Sequence, residues 1–172
     1  MIMFKLKAVM SSKGEMSISE AMQKRLSKIE SLLSEGHALT RVGGLAIPKL
    51  TNNQGRQIRL FFGGPAGFSW VGYFWAPILM FKIREYSYFL LISIGYVLYS
   101  IIDLAIPNAI FSGLFIFLLF IAFGFYYPYL LCLNKTEGKP EHSMVKSILF
   151  GSLLYYVAMI PYIIIVAVEG AG

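Results

Sequence analysis

The chain has 172 residues, of which 57% are hydrophobic and only 14% charged, with a formal net charge of +6. Soluble domains run at about 45–50% and about 25%, so an ordinary soluble domain is excluded. The single cysteine, Cys132, excludes an internal disulfide. Charge is also uneven: residues 1–60 hold ten basic and four acidic groups, residues beyond 85 only three and four. That asymmetry suggests a membrane protein with a basic region toward an acidic partner, most simply anionic lipid headgroups. A basic region beside a membrane serves most often as an orientation signal alone.

In chain order, Ile2, Phe4, Leu6 and Ala8 alternate with Met3, Lys5 and Lys7, the period of a strand. The run is too short and too lysine-interrupted for a secretory signal, so no cleavage is expected. Ser17-Ile18-Ser19-Glu20 has the spacing of a capping box. Ile18, Met22, Leu26, Ile29 and Leu33 then form one apolar stripe, with Lys24, Lys28 and Ser31 facing away and Gly36 placed for a left-handed stop. This predicts a helix over 17–35. Residues 39–47 and 57–62 are strand-like, with turn chemistry at Asn52-Asn53-Gln54-Gly55 between them. Residues 1–60 therefore read as a small basic β-α-β-β module. Its core is marginal alone, and it is expected to lean on the membrane, on a partner or on another copy.

Residues 61–85 form an aromatic segment broken by Gly63, Gly64, Pro65, Gly67 and Pro77. Three apolar runs follow, at about 86–106, 109–132 and 147–168. At 1.5 Å per residue they reach about 32, 36 and 33 Å, enough for a hydrocarbon core of about 30 Å. Pro107-Asn108 connects the first two in a tight hairpin, and the segment from Asn134 to Lys146 connects the last two. If the aromatic segment crossed the bilayer, Lys82 and Arg84 would fall opposite the basic module, against the positive-inside rule. If it dips in and returns, or lies at the interface, all fifteen basic residues share one side. Unsatisfied backbone in lipid also argues against one straight helix through so many glycines and prolines. The fold class expected is an α-helical integral membrane protein with three transmembrane helices, a re-entrant or interfacial aromatic segment, and a cytoplasmic α/β module at its N-terminus.

Within the segment, Phe68, Trp70, Gly72, Phe74, Ala76 and Pro77 match the Phe-x-Trp, small residue, aromatic cluster, small-proline pattern of a family of small bacterial inner-membrane proteins. That family is known only as a domain of unknown function, and residues 68–130 resemble it. The departures are Leu79, where the pattern usually has tryptophan, and Lys82-Ile83-Arg84 in place of an adjacent basic pair. The resemblance implies a bacterial inner-membrane protein and no activity, and it leaves the front module unexplained. Phe68, Trp70, Gly72, Phe74, Trp75 and Pro77 are expected to hold the module against the membrane interface. Gly72 allows close approach of a helix there, and Pro77 breaks the ladder where the chain turns.

Residues for chemistry are few. His37 and His142 lie on different segments, and the sequence has no HExxH, CxxC or Walker spacing. No catalytic residue, metal ligand or cofactor is expected, and no nucleic-acid partner. Asp103 is the one acid inside an expected span, which makes it a candidate intramembrane polar site; four residues from the hairpin turn, it fits outer headgroups better. Tyr96, Tyr99, Tyr155 and Tyr156 lie deep and need hydrogen-bond partners, at a helix interface or in a polar cavity. Tyr86, Tyr88, Tyr126, Tyr127 and Tyr129 read as an inner-interface belt. Ala109-xxx-Gly113 and Ser147-xxx-Gly151 permit close helix contact and point to a homo-oligomer. Three functions follow. The first is a non-enzymatic membrane anchor, sensor or interaction component whose basic cytoplasmic module engages a protein partner, as in a defence or immunity system. The alternative is a small oligomeric channel or transporter. An intramembrane enzyme ranks last.

Overall fold

The computed structural model describes residues 19–62, 64–106 and 111–169. The strand expected over Ile2–Ala8 and the Pro107-Asn108 connection lie outside them. Helix α1 spans Glu20–Ser34. Its N-cap is Ser19, not Ser17: Ser19 Oγ accepts from Met22 N at 3.4 Å, and its carbonyl accepts from Met22 N and Gln23 N. Glu20 therefore occupies the first turn, where a carboxylate complements the helix dipole. Met22, Leu26 and Ile29 are buried and Leu33 packs beside them. The helix stops at Gly36, whose φ of +92° lets Gly36 N reach Leu33 O and His37 N reach Leu32 O, a Schellman pair.

A three-stranded antiparallel sheet follows: β1 (Ala38–Arg41), β2 (Pro48–Thr51) and β3 (Gln57–Ile58), in that order. Leu39 faces Leu50, and Leu50 faces Ile58. The single strand expected over 39–47 is corrected. Gly43 and Gly44, at φ of +57° and +75°, end β1 after Arg41 and turn the chain into β2. After its helix the module thus has three strands, where the sequence reading has two. Between β2 and β3, Asn52 Oδ1 accepts from Gln54 N and Arg56 N at 3.0 and 2.8 Å.

Residues 61–85 form no single helix. Helix α2 (Trp70–Phe74) and helix α3 (Ala76–Lys82) are separated at Trp75. The break is there and not at Pro77, which sits in the first turn of α3, where its missing amide is not required. Three longer helices complete the chain: α4 (Ser87–Ala105), α5 (Phe111–Thr136) and α6 (Met144–Glu169). The stretches Phe117–Thr136 and Met144–Val168 are long and apolar enough to cross a membrane, while the apolar part of α4, Ser87–Ile102, is shorter.

Helix α4 packs against both α5 and α6, α2 packs against α5, and α3 packs mainly against α6. One hydrophobic core runs through everything, joining Met22, Ile29 and Leu50 of the module to Leu130 and Leu133 of α5 and to Ile83 and Ile92. The module therefore leans on the C-terminal half of α5. Burying that half takes Tyr127 and Tyr129 out of any interfacial belt, and Tyr88 of α4 is buried with them, against Phe123 of α5. Helix α6 is the opposite case, with Ile148, Leu149, Leu153, Val157, Ile160 and Ile164 all exposed.

Candidate functional site at the junction of module and helices

The local chemistry of α5 explains where the aromatic segment docks. Pro128 lies inside the helix and has no amide, so the carbonyl four residues earlier, at Gly124, loses its helical donor. Ser69 N donates to that Gly124 oxygen at 2.8 Å. The missing side chain at Gly124 makes room for Phe68: a Cβ built there would stand 2.2 Å from Phe68 Cε2. On the other side, Arg25 Nη2 of α1 donates to Phe68 O at 2.7 Å. The peptide unit between Phe68 and Ser69 is thus held at its N–H by α5 and at its carbonyl by α1.

Further contacts extend this grip. Ala66 N donates to Tyr129 Oη at 3.1 Å. Ser69 Oγ, itself buried, caps α2 by accepting from Gly72 N at 3.1 Å. Gly72 is buried flat against α5, where a Cβ would stand 2.6 Å from Tyr127 Cβ. Phe68 meets Trp70 and Phe125 edge to face, at 4.9 and 5.0 Å between centroids. The outward face of the segment is bare: Trp70, Phe74 and Trp75 are exposed, with Trp70 and Phe74 stacked 5.9 Å apart, and Phe62 is 84% exposed.

Charge supplies a second tie. Arg41 of β1 reaches Glu85, between α3 and α4, with Nε at 2.9 Å from Oε1, and pairs with the same oxygen through Nη2. Its Nη1 pairs with Glu137, just past α5, and Glu137 also binds Lys139 at 2.6 Å. Burial alone would lower the Arg41 guanidinium, but the hydrogen bonds and charges of Glu85 and Glu137 outweigh it and raise its pKa. Burial likewise works to raise the Glu137 carboxyl, yet the hydrogen bonds from Lys139 and Arg41 and their charges hold it below its ordinary value.

The other residues singled out by sequence are placed as follows. Gly151 of α6 lies against the α3 backbone, where a Cβ would be 2.9 Å from Pro77 O, and Ser147 is fully buried with Oγ donating to Ser143 O at 2.9 Å. Their close contact is thus within the chain. Ala109 lies outside the described residues, Gly113 is described only as a position on α5, and Asp103 only as a position near the end of α4. Tyr96 and Tyr155 share a hydrogen bond of 2.8 Å between hydroxyls across the α4–α6 interface, and Tyr99 packs on Tyr162 at 5.3 Å. Tyr156 is exposed. The described residues group no three metal-binding side chains.

The sequence reading missed Arg25, Arg41, Glu85 and Glu137 altogether. One signal was present for the docking notch: a proline in the middle of an apolar run with glycine four residues before it. The junction joins the module to the apolar helices through one pinned peptide and one cation shared by two carboxylates. No family model, curated protein or solved structure matches the chain.

Proposed function

We propose that the chain is a non-enzymatic inner-membrane anchor that holds its basic module rigidly at the cytoplasmic face for a protein partner. In this reading α4, α5 and α6 are the three spans, and residues 61–85 dip into the membrane and return. The carrying observation is the bare apolar length of α6. Only 11% of the Met144–Val168 window is buried inside the chain, and an apolar surface of that extent requires lipid or another apolar partner.

Contacts along the helices support the re-entrant path. Tyr73 meets Phe117 and Phe120 at 6.2 and 6.4 Å, about 24–28 Å along α5 from Thr136. Phe81, further on, is back beside His142, with ring centroids 4.9 Å apart. The bare rings of Trp70, Phe74 and Trp75 then meet acyl chains or headgroups, the environment that suits their large apolar bodies. The tyrosine pair at α4–α6 is accounted for as helix packing, which places the channel reading second. Homo-oligomerisation belongs to the proposal as well, with α6 as the face available to another copy.

Single cysteines at Ser143 and Gly172, in a Cys132→Ser background, test the topology in intact cells with an impermeant thiol reagent. Labelling at Gly172 and protection at Ser143 is the expected result, and the reverse pattern overturns it. Recovery of a reproducible cytoplasmic protein with the detergent-solubilised chain, lost when residues 1–60 are deleted, is the expected sign of the partner.

A further inference from the structure

Helix α3 ends in a Schellman motif whose left-handed position is not glycine. Arg84 N donates to Phe81 O at 3.0 Å and Glu85 N to Met80 O at 2.8 Å, with Arg84 at φ +59°. It is the only non-glycine residue at positive φ among those described, and its side chain is exposed. The motif accepts glycine without strain, so the arginine costs backbone energy that capping does not explain.

Arg84 does not stand alone. The His142 amide donates to Lys82 O at 2.9 Å, its ring stacks on Phe81, and its Nε2 lies 2.7 Å from Tyr86 Oη. This brings the start of α6, with Lys146, beside the turn that carries Arg84. Partial burial and then the charges of Arg84 and Lys146, both near this ring, hold the His142 imidazole below its ordinary pKa. The nearby carboxylates are already engaged: Glu141 with Lys82 at 3.0 Å, Glu85 with Arg41, and Glu137 with Arg41 and Lys139. Arg84 and Lys146 have no carboxylate partner among the described residues. The uncapped start of α4, immediately after Tyr86, adds a further preference for negative charge.

The geometry points to a binding site for the phosphate of an anionic phospholipid, held between Arg84 and Lys146 with Tyr86 and His142 as hydrogen-bonding groups. It rests on the membrane reading above, because the site lies where α3, α4 and α6 meet the bilayer surface. Arginine supplies a planar fork matched to phosphate oxygens, and lysine a point charge.

Native mass spectrometry of the detergent-purified full chain, with phosphatidylglycerol, phosphatidylcholine or inorganic phosphate added, tests it. Phosphatidylglycerol is expected to be retained over phosphatidylcholine. Arg84→Gln and Lys146→Gln should each weaken retention by about fivefold, the effect of one basic group at an anionic surface, while Lys28→Gln on α1 changes nothing. Arg84→Gly should lose lipid yet raise the melting temperature by about 2–4 °C, a combination a merely structural arginine does not give. Equal retention by the doubly substituted Arg84→Gln/Lys146→Gln chain, or competition by inorganic phosphate as effective as by lipid, overturns the site. Release of the wild-type chain from membranes by alkaline carbonate instead overturns the membrane reading on which it rests.

Discussion

Arg41 carries more of the junction than any other side chain. Its own side chain is 11% exposed and that of Glu85 5%, so removing the cation leaves a buried carboxylate without compensation. Breaking such a pair from one side costs about 3–5 kcal/mol. Arg41→Ala is therefore expected to free the module, seen as rapid proteolysis in the turn at residues 52–56 while α4 to α6 stay protected. The same junction sets a pH dependence. Glu137 has a depressed folded pKa, so its contribution is complete above its unfolded value, near 4.5, and is lost as pH falls through the lower folded one. Amide exchange of β1 measured from neutral to strongly acidic pH should show opening only in that lower window. Gly72→Ala belongs with these: its Cβ would meet Tyr127 Cβ, close to the backbone and unable to swing away. Overpacking of this kind costs about 1–3 kcal/mol. At Gly124 the obstacle is the outer edge of the Phe68 ring, so Gly124→Ala should be milder in a thermal melt.

Among the elements, the pairing of α2 with α5 depends on a defect in α5. Pro128 withholds an amide from Gly124 O, and the Ser69 amide takes its place. Pro128→Ala restores an internal donor that competes for that oxygen, while helix propensity improves. A helix that is locally better formed should then bind its aromatic segment less well, by about the 0.5–1.5 kcal/mol net value of one hydrogen bond. Trypsin access at Arg25, or hydrogen exchange at Ser69, reads the loosening, and unchanged protection at both sites would overturn the account. Arg84→Gly tests the neighbouring element boundary in the opposite sense. Relieving one left-handed non-glycine residue should return about 1–2 kcal/mol to the fold.

As a whole the chain has one core where residues 1–60 and 86–172 read as separate domains. Met22, Leu26, Ile29 and Leu50 of the module are buried in the same cluster as Leu130, Leu131 and Leu133 of α5. A three-stranded sheet with a single helix cannot bury enough apolar surface by itself at this size. Residues 1–60 expressed alone are accordingly expected to lack a cooperative thermal transition by circular dichroism, whereas the full chain in detergent melts the module and α5 together. A sharp independent melt of the fragment would show that the shared core is dispensable.

Signals that act within a few residues were legible without the fold. The apolar stripe and Gly36 stop of α1, the length of two of the three apolar runs, and the Gly/Pro interruption of residues 61–85 all follow from local sterics and hydropathy, which hold wherever the chain goes. The boundaries drifted where two local signals competed, as when Ser19 displaced Ser17 at the cap and Gly43-Gly44 ended the strand expected over 39–47 at Arg41, with a further strand beginning only at Pro48. What could not be read was which distant groups meet. Arg41 lies 44 residues from Glu85 and 96 from Glu137, and nothing near an arginine names its carboxylate. The tyrosines make the same point: those at 88, 127 and 129 look alike in sequence to Tyr86, and only the packing of the other elements, α4 among them, around α5 separates the buried three from the exposed one. Burial is a property of the packed assembly, settled by the free energy of the whole core and not by any stretch of chain within it.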